Sequence, residues 1–484
     1  MSAVTAGVAA LSAAAVTGGY AADAAPAGPQ AASAAQGGSP SHSAAIPGAQ
    51  LWVKRYNGPA NGPDQALSAA VSPDGVRVFV TGFSHGAGSK ADYATIAYRA
   101  GTGTRLWASR YNGPGNGTDL ASSVAVSPDG DRVFVTGFSH GTKSGPDYAT
   151  IAYRADTGTR LWVRRYNGPG NGTDRAMSVT VSRSGDRVLV TGVSHGAGSG
   201  LDYATIAYRA DTGTRLWVQR NNGPGNGADR AMSVTASPAG NRVFVTGQST
   251  GSGSGLDYAT IAYRAGTGTR LWVQRYNGPG NGPDGAMSVA ASHAGDRVFV
   301  TGHSTGAGSG LDYATIAYRA ATGTRLWTER YSGPGKNGDG ARSVAVSPGG
   351  RTVFVTGTSF GRGTGDDYAT VAYRAATGAR QWVSRYNGPR NTFDVANSLA
   401  VDPASGKVYV TGVVGAFTEK GDFATVAYRP ATGTRRWVRF YNDPVGTNVA
   451  QFVAVNPVSG AVVVTGNSFG RTSSWDYATV AYGR

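Results

Sequence analysis

The chain has 484 residues, 74 of them Gly and none Cys; 15% are charged, and Lys plus Arg outnumber Asp plus Glu by 44 to 28. Many glycines with few charges fit short strands joined by tight turns and argue against a helical or coiled-coil protein. The lack of Cys removes a disulfide framework, a thiolate metal site and a cysteine nucleophile together. The net charge of +16 is spread along the sequence and bears on what the surface attracts, not on the fold. It could draw in acidic polymers, but the basic and aromatic interleaving of a nucleic-acid groove is not visible, so nucleic acid is not an expected partner.

Residues 1–25 are rich in Ala, Val and Gly and run into the small-residue sites Ala22-Asp23-Ala24 and Ala25-Pro26-Ala27. This is the pattern of a secretory signal, although the positive start of such a signal is missing. The apolar run is too interrupted to span a membrane. Residues 26–48 are an Ala, Ser, Pro and Gly stretch that cannot bury a core and reads as a flexible linker. Residues 49–484 read as one domain, expected as a monomer outside the cell or at its surface.

That domain is a repeat array. Trp52, Trp107, Trp162, Trp217, Trp272, Trp327, Trp382 and Trp437 follow one another at intervals of 55 residues, and a fixed period overrides the usual division of a long chain into several domains. One unit shows the plan. Ala121–Val126 is an apolar strand ending in Ser127-Pro128-Asp129-Gly130, a tight turn. Arg132–Thr136 is the second strand, followed by a loop from Gly137 to Pro146. Tyr148–Ala155 and Leu161–Tyr166 are the third and fourth strands, joined through Asp156-Thr157-Gly158-Thr159.

The first two strands are apolar almost without alternation, as a sheet covered on both faces requires. Four-stranded units stacked face to face around an axis make a β-propeller, whereas a solenoid would need polar caps at its ends. First strands begin near Leu67, Ala121, Ala176, Ala231, Ala286, Ala341, Ala396 and Ala450, which sets the number of blades at eight. The array opens on a lone fourth strand at Leu51–Tyr56 and closes on a lone third strand at Asp476–Tyr482. The expected fold is therefore all-β: an eight-bladed propeller of four-stranded antiparallel blades whose last blade takes its outer strand from the N-terminal segment.

The spacing of Ala152, Thr157-Gly158 and Trp162 is similar to the tryptophan-docking motif of the quinoprotein (PQQ-like) eight-bladed propeller superfamily, and half-units such as SVAVSPDGDRVFVTG resemble secreted bacterial propeller repeats. The resemblance implies that the eight tryptophans are structural and pack across blade interfaces. It does not imply a cofactor. Quinone dehydrogenases of this superfamily gather calcium, a base Asp and commonly a cysteine pair around one centre; here Cys is absent and Asp119, Asp174 and Asp229 simply recur, so neither PQQ with calcium nor any other cofactor is expected. These recurring acids are expected to accept backbone N–H groups in their Gly-rich loops.

His85, His140, His195 and His303 are read as loop residues after second strands, too far apart on separate blades to hold one metal ion, so no metal site is expected. No catalytic set stands out. A unique site on a symmetric ring must lie where the symmetry fails, and blades six to eight diverge most. Their loops carry Phe360, Arg362 and Asp366, then Phe417, Glu419 and Lys420, then Arg471 and Trp475. These residues are the candidate ligand-binding set. The favoured function is a non-catalytic scaffold that binds an extracellular glycan, wall polymer or protein. The alternative is an enzyme, a polysaccharide lyase or a quinone-dependent alcohol oxidoreductase, at the same place.

Overall fold

The computed structural model describes residues 46–335, 338–416, 420–443, 445–470 and 473–484. The signal expected at residues 1–25 and all but the last three residues of the linker expected at 26–48 lie outside it. The described chain forms thirty-two strands in eight four-stranded antiparallel sheets, and no helix occurs among the described residues. Blade two shows the pattern with strands Leu120–Val126, Arg132–His140, Pro146–Arg154 and Arg160–Tyr166. Blade eight consists of Asn448–Val455, Val462–Phe469 and Trp475–Tyr482, and its fourth strand is Gln50–Tyr56. The clasp pairs Trp52 with Ala481 and Tyr56 with Tyr477, so blade eight has four strands and the same outer edge as the others.

The hydrophobic core lies between the blades. Phe79, Tyr93 and Trp107 of blade one form a single buried cluster with Val133, Ile151 and Tyr153 of blade two, and seven further clusters repeat this arrangement around the ring. Each blade thus buries both faces, which explains the unbroken apolar runs of its inner strands.

Each tryptophan reaches into the next blade. Trp107 Nε1 donates to the Ala155 carbonyl at 3.0 Å, and Trp52, at the clasp, donates to Ala100 at 2.7 Å. The ring lies on the turn glycine of that neighbour. Gly158 has φ +71°, and a Cβ there would lie 2.5 Å from the Trp107 ring, so both the backbone and the packing demand glycine. Where the ring closes there is no such turn, because the chain is cut at that place. Gly48, at φ +75°, lies against Trp437 instead, and its amide donates to Gly483 at 3.0 Å.

The structure corrects one reading of the repeat. The sequence suggests a loop from Gly137, but the second strand runs on to His140. The first strand bulges between Ala121 and Ser123, and a Cβ on Gly137 would run into the Leu120 carbonyl oxygen. The glycine admits a bulge and does not start a turn. His85, His140 and His195 accordingly lie in second strands, and His303 lies inside the strand Arg297–Gly306.

Two glycine substitutions should separate packing from propensity. Gly158→Ala is expected to cost more than about 1 kcal/mol in chemical denaturation, through its left-handed backbone and its clash with Trp107. Gly101→Ala, where an added Cβ meets nothing within 4 Å, should be close to neutral.

Candidate functional site at the long-loop end

First strands start, and second strands end, at the end of the ring that carries the loops between blades and the longer loops within them. Two carboxylate networks recur there. Asp119 Oδ2 accepts the Gly113 amide at 2.6 Å and its Oδ1 accepts the His140 amide at 2.9 Å, tying the inter-blade loop to the second strand. Burial raises the Asp119 pKa, against the hydrogen bonds from Gly113, Ser139 and His140. Asp147 accepts Ser144 at 2.7 Å and Arg165 at 2.8 Å, and Arg165 also reaches the Ser139 carbonyl at 2.7 Å. These networks account for the repeated acids as structure, as the sequence reading expects.

His85 and His140 have the same kind of role, whereas the buried Nδ1 of His195 has no hydrogen-bond partner. His140 Nδ1 donates to the Thr118 carbonyl at 2.6 Å, as His85 does to Pro63. In blade five Thr305 makes the equivalent bond to Pro283 at 2.9 Å. A hydroxyl that can replace the imidazole marks it as a strap on the inter-blade loop. His303 belongs to a different column of the repeat, in register with Phe83, Phe138 and Gln248.

The arginine column of the repeat breaks in blade seven. Phe440 stands where the other blades have the arginine that serves the third-strand aspartate. Asp422 is served instead by Arg390, from the loop after blade six, at 3.2 Å; burial raises the Asp422 pKa while Arg390 opposes it. Arg390 also donates to the Lys420 carbonyl.

Of the residues singled out in the sequence, Phe360 and Asp366 are cross-strand partners in blade six. Phe360 packs over Gly335, and Arg362 Nε donates to the Pro334 carbonyl at 3.0 Å. Trp475 sits in blade eight edge-on to Phe469, with centroids 5.8 Å apart and planes at 89°, a half-exposed aromatic pair. Trp475 is thus engaged with its own blade, while Asp366 is turned toward the inner wall. Phe417, Glu419 and Arg471 lie outside the described residues.

That inner wall is where the asymmetry is greatest. Consecutive first strands touch one another around the ring and so line its axis. The bulged position of each first strand is Leu67, Ser122, Met177, Met232 and Met287 in blades one to five, then Arg342, Asn397 and Gln451. Arg342 Nη1 donates to Asn397 Oδ1 at 3.3 Å, and Asn397 Nδ2 donates to the Ala450 carbonyl at 2.8 Å. Asn467, 4% exposed, holds a buried Oδ1 without a hydrogen-bond partner.

Two positions that carry Gln65, Leu120, Arg175 and Arg230 elsewhere are Gly285 and Gly340 here, and both flank His303. A Cβ on Gly285 would come within 2.8 Å of the imidazole and 3.0 Å of Gln248 Oε1; one on Gly340 would lie 3.8 Å from His303 Cβ. Room and polarity therefore coincide on blades five to eight.

The charges there are strained. Burial lowers the Arg342 pKa, with Tyr313 and Asp366 acting the other way. Burial raises that of Asp366, helped by Asp339 and Asp367 and opposed by Arg342 and Arg385. His303 is lowered by burial, with Asp284 opposing and Arg342 reinforcing. The reading from sequence took Asp366 from this group, grouped His303 with the loop histidines, and missed Arg342, Asn397 and Asn467. The signal for Arg342 and Asn397 was the aligned column of bulge residues, where three methionines give way to Arg and Asn; for Asn467 it was the second-strand column that holds Phe83, Phe138 and His303.

The ring of antiparallel blades, the clasp and the polar inner wall define an eight-bladed β-propeller of the quinoprotein type. The chain belongs to the family described as outer membrane protein assembly factor BamB, whose pattern matches residues 9–199, 94–260 and 257–480. No curated protein sequence matches it. Among solved structures, Sqt1 of Chaetomium thermophilum, bound to the N-terminus of ribosomal protein L10, superposes with a TM-score of 0.57 at 11% identity, covering 87% of this chain and 98% of its own. A europium-containing methanol dehydrogenase gives 0.55 at 13% identity, covering 90% and 93%. The quinohemoprotein alcohol dehydrogenase of Comamonas testosteroni gives 0.52 at 13% identity, covering 89% and 76%. These likenesses are of fold.

A calcium ion takes about six to eight oxygen ligands. Among the described residues no three His, Cys, Asp or Glu side chains converge on one point.

The strained charges make a pH test. Asp366 is raised above its ordinary value of 3.8, so its contribution to stability is present below that value and lost as pH rises through its native value. Asp366→Asn is expected to raise the melting temperature at neutral pH and to lose that advantage in acid. His303 is lowered below 6.5, so stability falls as pH drops beneath that value. His303→Gln should flatten that part of the melting-temperature profile.

Proposed function

We propose that this protein is an exported, non-catalytic scaffold that binds an extracellular polymer or protein at its long-loop end, where the inner wall of blades five to eight turns polar. The observation that carries this reading is the Arg342, Asn397, Asp366 and His303 group, set in a ring whose corresponding columns hold no charged residue in the other described blades. Strained charges and an unpartnered buried amide are costly to keep, and binding sites are where such costs are met. The family name describes an assembly factor, and Sqt1 shows a propeller of this shape holding a protein segment. The half-exposed Phe469 and Trp475 would extend the same surface outward, and the eight tryptophans would serve as blade-docking residues throughout. The Ala-rich leader supports export.

A second reading, oxidation of an alcohol, is favoured by the two dehydrogenases of like fold.

Restoring the repeat tests the first reading. Arg342→Met together with Asp366→Leu gives blade six the residues found in blade five. The variant should keep or raise its melting temperature and lose about tenfold or more in affinity, the scale of one charge-assisted contact, for whichever ligand of a glycan, wall-polymer and protein panel the wild type binds. Wild-type affinity in the variant overturns this placement. Dye reduction that depends on alcohol, quinone and calcium would establish the second reading.

A further inference from the structure

The net charge is not shared between the two ends of the ring. Among the described residues, the long-loop end holds 15 Lys and Arg against 17 Asp and Glu, whereas the short-turn end holds 27 against nine. At the long-loop end seven arginines are each ion-paired with the third-strand aspartate of their blade, as Arg330 is with Asp312 at 2.8 Å. At the other end pairing is sparse. The third strand ends on an arginine in blades one to six and is followed directly by Arg429 in blade seven, the fourth strand opens on an arginine in all seven, from Arg105 to Arg435, and all of these are exposed.

In blades one to five the second strand also opens with arginine, and that residue is the direct cross-strand partner of the third-strand one, as Arg242 is of Arg264. Like charges directly opposite on a sheet destabilise it. Such a pair arising once could be drift; the same unfavourable pair in five successive blades is an arrangement held against its cost. Acids relieve it in part: Arg77, Arg132, Arg187 and Arg297 each pair with a nearby aspartate, and Arg154 and Arg209 lie 3.7 Å and 3.6 Å from Asp156 and Asp211, while Arg242 and Arg264 have no ion pair among the described residues. Arg264, Arg319, Arg374 and Arg429 have no ion pair among the described residues.

We propose that the short-turn end and adjoining outer wall bind a flexible linear polyanion bearing phosphate groups, at a surface separate from the long-loop site. Arginine matches phosphate through its fork of donors. The fourth strand is the outermost of each sheet, so its arginines follow the circumference. A chain can trace that curve, but a flat bilayer cannot reach both sides of it. The exposed large apolar residues here, such as Val76, Leu106 and Leu271, include no aromatic on which bases could stack, which disfavours single-stranded nucleic acid.

The test uses the whole exported chain and long-chain inorganic polyphosphate, with duplex DNA and phosphatidylglycerol vesicles as parallel probes. Two variants are compared. One carries Arg264→Gln, Arg319→Gln, Arg374→Gln and Arg429→Gln; the other carries Lys90→Gln, Lys143→Gln and Arg230→Gln at the long-loop end. The first should weaken polyphosphate binding by about tenfold or more and flatten its salt dependence, because fewer counterions are released. Its melting temperature should stay level or rise, which confirms the fold. The second should bind within about twofold of wild type. Equal losses in both variants, salt-independent binding, or absence of polyphosphate binding overturns the proposal. Tighter binding to DNA or to vesicles than to polyphosphate overturns it in favour of that partner. None of these outcomes depends on Arg342 or Asp366, so failure here and failure at the long-loop site are distinguishable.

Discussion

Burial of one blade's face against the next is the interaction on which everything else depends. A single four-stranded sheet here has two apolar faces and cannot be stable in water alone; eight of them in a ring leave no face uncovered. The tryptophan on its left-handed glycine fixes the geometry of that contact, since the indole needs a flat, Cβ-free seat and a carbonyl for its N–H. The constraint reaches the chain ends. Gly48 exists as a seat for Trp437, and Gln50–Tyr56 as an edge for Trp475–Tyr482, so the clasp is the same blade contact made by a chain that has been cut.

A ring held this way is tolerant at its surface and intolerant in its columns. Blades one to seven repeat both aspartate straps, with Asn448 replacing the first in blade eight, and even where one partner is lost the carboxylate is not abandoned: Arg390 crosses from the neighbouring loop to Asp422 when Phe440 replaces the usual arginine. A buried carboxylate without a cation is costly, so the fold recruits another. The inner wall is different. There the run of Leu and Met is broken by Arg342 and Asn397 with only partial compensation, and Gly285 and Gly340 remove side chains that would have filled the space.

The two ends of the ring thus divide the electrostatics. At the long-loop end charge is abundant but internally matched, and what is distinctive is a small polar, strained group near the axis. At the short-turn end arginine outnumbers the acids, is only partly paired, and is spread along the circumference. Both properties come from the same repeat. Its third strand carries an aspartate near its start and, in blades one to seven, an arginine at or just after its end, so blades pointing the same way sort acids to one end and bases to the other.

The blade number, the strand order and the closure by the first strand were all legible from the 55-residue period, because a unit that cannot cover its own faces admits few ways of stacking. Asp119 and its counterparts were legible as loop ties, since an aspartate beside a Gly-rich loop has backbone amides to bind. Gly137 was not legible. A glycine required by a bulge looks the same in sequence as one required by a turn, and only the facing Leu120 carbonyl tells them apart. His303 and Arg342 were hidden for a related reason. Their meaning lies in residues of neighbouring blades some 55 positions away, and adjacency on the inner wall is a property of the closed ring. The sorting of charge had the same origin: composition showed the excess of arginine, but only the common direction of the strands placed it at one end.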